Sequence, residues 1–161
     1  MSVEIVVGKE LIKKGPIKTE SRPITTKEKF LEDLDANALP VFKAIFELAA
    51  KNNLPVRWGA VGFSLSTIVD DVVVPILQGY PKSPYNQIIY TYSCAVRKKV
   101  ENGNELFEWF SEKLLETKLF EKTKIELKYK INKKPSAEEI EHLTELITSF
   151  SEKIKQNGII Q

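Results

Sequence analysis

Hydrophobic positions along the chain fall at helical spacing, then alternate, return to helical spacing, alternate again and end helical. Phe30, Leu31 and Leu34 share one side of a short helix. Thr25 is its expected N-cap, with Glu28 three residues on closing a capping box. Leu39, Phe42, Ile45, Phe46 and Ala49, widened by Val41 and Leu48, predict a longer helix that ends near Asn52-Asn53. Pro40 falls in its first turn, where a missing N–H costs nothing.

The period then shortens at the stretch 54–66, around which the rest of the chain is arranged. Residues 55–58 predict a short strand, and Gly59 and Gly62 bracket a tight connection. Phe63, Leu65 and Thr67 alternate with Ser64, Ser66 and Ile68 in a half-buried strand. Asp70-Asp71 reads as a hairpin tip. A third strand covers 72–77, with Pro75 placing it at an edge or bulge or ending it early. Gly79, Pro81, Pro84 and Asn86 predict a loop over 78–86, and 87–95 predicts the next strand. In that strand Ile88, Tyr90, Tyr92 and Cys94 share one face, and Ile89, Thr91 and Ser93 the other. Ile88 beside Tyr90 and Tyr92 favours that first face as the packed one.

A helix follows over about 104–119, with Leu106, Phe107, Phe110, Leu114 and Leu115 inward. Residues 122–131 then alternate along their whole length. Thr123, Ile125, Leu127, Tyr129 and Ile131 face one way, while Lys122, Lys124, Glu126, Lys128 and Lys130 face the other. A single strand with a lysine-rich solvent face is expected, of the kind that guards a sheet edge. Ser136 and Glu139 form a second capping box. The final helix carries Ile140, Leu143, Leu146 or Ile147, Phe150 and Ile154 at helical spacing and stops at Asn157-Gly158.

This order predicts an α+β fold in a single domain, a mainly antiparallel sheet of about five or six strands with three main helices packed largely on one face. The strand that enters after a helix is a candidate for parallel pairing. Residues 1–24 read as an N-terminal strand (residues 3–7) and an extended arm, and residues 25–161 as the domain.

The chain has 161 residues, enough for a real core without staples. Its net charge of +2 does not by itself imply nucleic acid, but the charge is segregated. Residues 122–134 hold six lysines and one glutamate, whereas 136–156 hold five glutamates and two lysines. One cysteine, Cys94, forbids an intramolecular disulfide and suits a reducing cytoplasm. Neither a signal-peptide pattern nor an apolar run long enough for a membrane span is seen, so no membrane partner is expected.

No cofactor motif is present. Gly59 and Gly62 lack the lysine and helix start of a phosphate loop. His142, alone beside an apolar stripe, reads as a boundary residue, and Cys94 as packing. Asp70-Asp71 and Glu126-Leu127-Lys128 are residue types that metal-dependent nucleases gather. Their carboxylates hold Mg²⁺, and the lysine steadies the attacked phosphate. The gap of 55 positions from Asp71 to Glu126 favours a tight turn and a solvated face instead.

Tyrosines between Tyr80 and Tyr92, flanked by basic residues, can stack on bases while lysines neutralise phosphates. The expected function is therefore a non-enzymatic macromolecule-binding or regulatory accessory domain. Its partner is a nucleic acid or a protein, and no cofactor is involved. The binding residues are Trp58, Tyr80, Lys82, Tyr85, Lys124, Lys128 and Lys130, and a homodimer is compatible with them. Two alternatives stand beside this. One is a Mg-dependent nuclease-like hydrolase using Asp70, Asp71, Glu126 and Lys128. The other is a small-molecule sensor with a pocket between helices and sheet, lined by Trp58 and Tyr90.

Overall fold

In a computed structural model, residues 23–161 are described; the expected strand at 3–7 and nearly all of the arm lie outside them. Six strands, β1 (Val56–Trp58), β2 (Phe63–Val69), β3 (Val72–Tyr80), β4 (Ile88–Thr91), β5 (Glu121–Lys122) and β6 (Leu127–Lys130), form one sheet in the order β1-β2-β3-β4-β6-β5. Every pairing is antiparallel, including β6 against β4. The expected parallel strand is not found, because β6 arrives from the β5 turn rather than directly from a helix. The helices are α1 (Lys27–Glu32), α2 (Leu39–Asn52), α3 (Lys82–Tyr85), α4 (Cys94–Lys99), α5 (Gly103–Glu116) and α6 (Ala137–Asn157). Together they make a single α+β domain.

Register decides which face is the core. Trp58, Phe63, Gly79, Ile89 and Tyr129 stand opposite one another on successive strands, as do Val56, Leu65, Leu77 and Thr91. Phe30 of α1 and Phe42 and Phe46 of α2 close over the first row. Ring centroids lie 4.9 Å apart for Phe30–Phe42, 4.9 Å for Phe46–Phe63 and 5.4 Å for Trp58–Phe63. Gly79 lies beneath this cluster, where a Cβ would come within 2.3 Å of the Phe63 ring. Phe110 of α5 stacks on Phe150 of α6 at 4.0 Å. Thr67 of β2 shares a buried 2.8 Å hydrogen bond with Ser151 of α6. Helices α2, α5 and α6 thus belong to one layer against one face of the sheet.

Several local expectations hold. Pro40 lies in the first turn of α2, and Asn53 ends that helix in the left-handed conformation. Asp70 and Asp71 both have positive φ and make the two-residue hairpin. The Ser136–Glu139 capping box is complete. The first cap moves by one residue, since Thr26 Oγ1, not Thr25, accepts from the Lys29 N–H.

Of the placements expected for Pro75 the bulge is the one found: it lies in β3, an interior strand, where the register skips Ile76. Other expectations are corrected. Residues 78–80 continue β3 instead of opening a loop, because Gly79 serves close approach rather than a turn. The strand expected over 87–95 stops at Thr91, and Cys94 is an exposed residue that opens α4. The packed face there is Ile89, Thr91 and Ser93, each 1% exposed. The alternating run 122–131 folds back on itself. Thr123 N–H and Oγ1 both donate to the Glu126 carbonyl, and the Glu126 N–H donates to Thr123 Oγ1. Ile125 is therefore 73% exposed at a turn instead of facing the core.

Candidate binding face on the sheet

Because side chains alternate across a strand, the residues one step out of register from the core rows point away from the helices. One such row crosses all six strands: Arg57 opposite Ser64, Ser64 opposite Gln78, Gln78 opposite Tyr90, Tyr90 opposite Lys128, and Lys128 opposite Glu121. Five strand spacings make it roughly 24 Å long. Beside it runs a second row, with Tyr80 opposite Ile88 and Ile88 opposite Lys130. Ser64, Gln78, Tyr80, Tyr90 and Lys128 are half-buried, and Arg57 and Lys130 are exposed.

Tyr80 is the centre of an aromatic group. Its ring lies 4.8 Å from that of Tyr85 and meets Tyr90 edge-on at 6.0 Å. Tyr85, 43% exposed, comes from α3, a single turn between β3 and β4. Partial burial pushes the Tyr80 phenol up, and its neighbours Tyr85 and Tyr90 push it the same way. Tyr80 thus stays neutral, with a ring free of charge. A shallow concavity of about 220 Å³ lies beside this group, with Arg57, Ser64, Gln78 and Tyr80 in its wall. Gly62 brings the β1–β2 turn against β3 there, since a Cβ would lie 2.2 Å from the Gly79 carbonyl oxygen.

At the end of the strands a second cavity, of about 410 Å³, involves Asp35, Lys82, Gln87 and Lys130. Gln87 Oε1 accepts from the Asp35 N–H, and its Nε2 donates to the Ile131 carbonyl. The Gln87 side chain holds the Asp35 carboxyl below the usual carboxylate range. Backbone N–H groups of Asn37 and Ala38 and the Lys82 charge add to this, against partial burial that pushes it up. A larger groove of about 650 Å³ on α5 carries Glu105, Glu108 and Glu112, which repel a polyanion.

The expected binding residues divide accordingly. Tyr80, Tyr85, Lys128 and Lys130 share the region of the two open-face rows, and Lys82 lies at the strand-end cavity beside Lys130. Lys124 sits in the β5–β6 turn, outside both rows. The Trp58 ring packs on the core side, 5.5 Å from Phe30 and 5.6 Å from Phe46, although the half-buried residue also borders the 220 Å³ concavity with Arg57 and Tyr80; its sequence neighbour Arg57 takes the outward position. Trp58 and Tyr90 therefore lie on opposite faces of the sheet and cannot line one sensor pocket. Arg57, Gln78 and Tyr90 complete the row, and only strand register could place them in it.

The nuclease set is not brought together. Asp70 and Asp71 cap the β2–β3 hairpin, where an Asp70 oxygen accepts from the Ile159 N–H. Glu126 directly precedes β6, roughly 15–20 Å away when strand spacing and rise are counted along the pairings. Its carboxylate accepts from Thr91 Oγ1 (2.8 Å), Ser93 Oγ (2.9 Å) and Ser93 N–H (3.0 Å). Among the described residues no group of three or more His, Cys, Asp or Glu side chains is placed to share a metal ion. None of their helices is long and apolar enough to cross a membrane. The chain matches no protein-family profile, no curated protein and no solved structure.

Proposed function

We propose that this chain is a non-enzymatic binding domain that holds single-stranded nucleic acid on the open face of its sheet. The observation that carries this reading is the tyrosine group at the centre of a row that runs from Arg57 through Lys128 to Glu121 at the sheet edge, beside a second row that ends in Lys130. Unpaired bases can stack on tyrosine rings, and a strand's phosphates are met by arginine and lysine. A duplex offers no exposed base faces to a flat aromatic surface, so the single strand is the better match. Ser64 and Gln78 add donors and acceptors between the rings and Arg57. A protein partner is the competing outcome; its binding to a half-buried aromatic face would depend much less on salt.

The test is anisotropy of a fluorescent single-stranded oligonucleotide at two salt concentrations. Neutralised phosphates release counterions, so affinity falls steeply as salt rises. Tyr90→Ala costs about 1–3 kcal/mol of binding, the scale of one base–aromatic stack. Lys128→Ala lowers the salt slope by about one. Binding that ignores salt, or that survives loss of Tyr80 and Tyr90 together, overturns the reading.

A further inference from the structure

Strand β1 is one edge of the sheet, with β2 on its inner side. The Ser66 N–H donates to the Pro55 carbonyl, and the Gly59 N–H to the Gly62 carbonyl. In an antiparallel pair, bonded and non-bonded positions alternate. Arg57 therefore bonds towards β2, while the N–H and C=O groups of Val56 and Trp58 point out of the sheet edge. No backbone bond from a described loop or helix reaches those four groups. Such an edge is a template for a further strand. The opposite edge, β5, is guarded, since Glu121 and Lys122 are both charged and exposed. β1 instead borders an apolar pocket of about 250 Å³, lined by Phe46, Ala49, Ala50, Leu54, Val56 and Trp58, with Lys27 as its one charged neighbour. The chain also enters the domain here, because the Thr25 N–H donates to the Gly59 carbonyl at 2.9 Å, just past the end of β1. The sequence ahead of it includes Val3-Glu4-Ile5-Val6-Val7, with β-branched residues at four of five positions.

We propose that residues 3–7 of this chain add to the outer edge of β1 as a further strand, with Ile5 seated in the apolar pocket. The inference stands apart from the nucleic-acid reading above. Alternation along a strand puts Val3, Ile5 and Val7 on one face and Glu4 and Val6 on the other. With Ile5 towards the helices, the pocket receives aliphatic side chains and Glu4 falls on the open face, the side of Arg57. The reverse placement would press the Glu4 carboxylate against Phe46 and Leu54, where a charge is costly. Val7 precedes Thr25 by 18 positions, and a chain of that length can span roughly 60 Å, several times the length of β1. A flexible tether holds its segment at an effective concentration of about millimolar, which favours the chain's own segment over that of a second copy.

Amide hydrogen exchange on the full chain, read at Val56 and Trp58, tests this. Both amides are expected to exchange at least about tenfold more slowly in the native protein than in Ile5→Asp. The amides of Arg57 and Ser64, which bond within the β1–β2 pair, should change little. Val6→Ser, on the other face, should keep the protection; a loss as large as that of Ile5→Asp would overturn the seating of Ile5. Sedimentation equilibrium should show a monomer, with protection unchanged on dilution. Equal exchange in the native protein and Ile5→Asp overturns the proposal. So does a dimer whose protection at Val56 and Trp58 falls on dilution, since the added strand would then come from a second copy.

Discussion

Replacing Glu126 with alanine should cost far more stability than an ordinary residue beside a turn would. Its carboxylate holds the end of β4 and the start of α4 through three hydrogen bonds of 2.8, 2.9 and 3.0 Å. Hydrogen bonds to a charged group contribute about 1.5–3 kcal/mol each. The donors belong to Thr91 and Ser93, each 1% exposed, so water replaces the lost oxygens poorly. Some recovery is available, since both hydroxyls can rotate and Thr91 Oγ1 still accepts from the Leu127 N–H. The balance is a loss of roughly 3–4 kcal/mol. For a chain of this size that lowers Tm by about 10 °C, at ~2–4 °C per kcal/mol. Glu126→Gln keeps one acceptor oxygen but turns an amide towards the serine donors, so about half the loss is expected. Urea unfolding at neutral pH, with melts by circular dichroism, measures both variants. A loss below about 1 kcal/mol for the alanine variant would show that Glu126 is not what lets Thr91 and Ser93 be buried.

Gly79→Ala tests the close approach of β3 to the aromatic cluster. The new methyl would lie 2.3 Å from the Phe63 ring and 2.9 Å from the Phe42 ring, an overpacking worth about 1–3 kcal/mol in unfolding experiments. A neutral substitution would mean that the residue is free, as a loop glycine would be. Burial, with a smaller push from the Glu139 carboxylate, raises the Tyr129 phenol to about 12. The fold thus holds the neutral phenol, while an unfolded tyrosine ionises near pH ~10. The resulting stability is complete below that pH and is lost as pH rises towards 12. Urea midpoints measured across this range should fall for the native protein, and Tyr129→Phe should flatten part of the fall. Identical slopes for the two proteins would refute the assignment.

Much of the architecture was legible because its signals are local. The Ser136–Glu139 box, the helix-period stripe behind it and the Asp70-Asp71 tip each lie within a few residues, and each was read correctly. The errors arose where a distant contact reinterprets a local sign. Gly79 resembled a loop marker among prolines, yet its purpose is set by Phe42 and Phe63. The run 122–131 alternated without a break because its turn is built by Thr123 and Glu126, with no glycine, proline or asparagine to announce it. On the packed face of β4 the buried Thr91 and Ser93 find their acceptor in Glu126, more than thirty residues away. Ile88, Tyr90 and Tyr92 therefore looked like the core side. The candidate site was legible as a composition, tyrosines among lysines, but not as a surface. Arg57 and Gln78 enter it only through the register of β1 to β4, and Trp58 leaves it for the same reason.

Chemical-shift mapping of the labelled protein against a single-stranded oligonucleotide most directly tests whether the open face of the sheet is the binding surface. The expected shifts follow the row from Arg57 through Ser64, Gln78 and Tyr90 to Lys128, with Tyr80, Tyr85 and Lys130 beside it. Resonances of α2 and α6, on the far side of the sheet, should stay in place. Shifts confined to the helical layer, or none at saturating strand, would contradict the account.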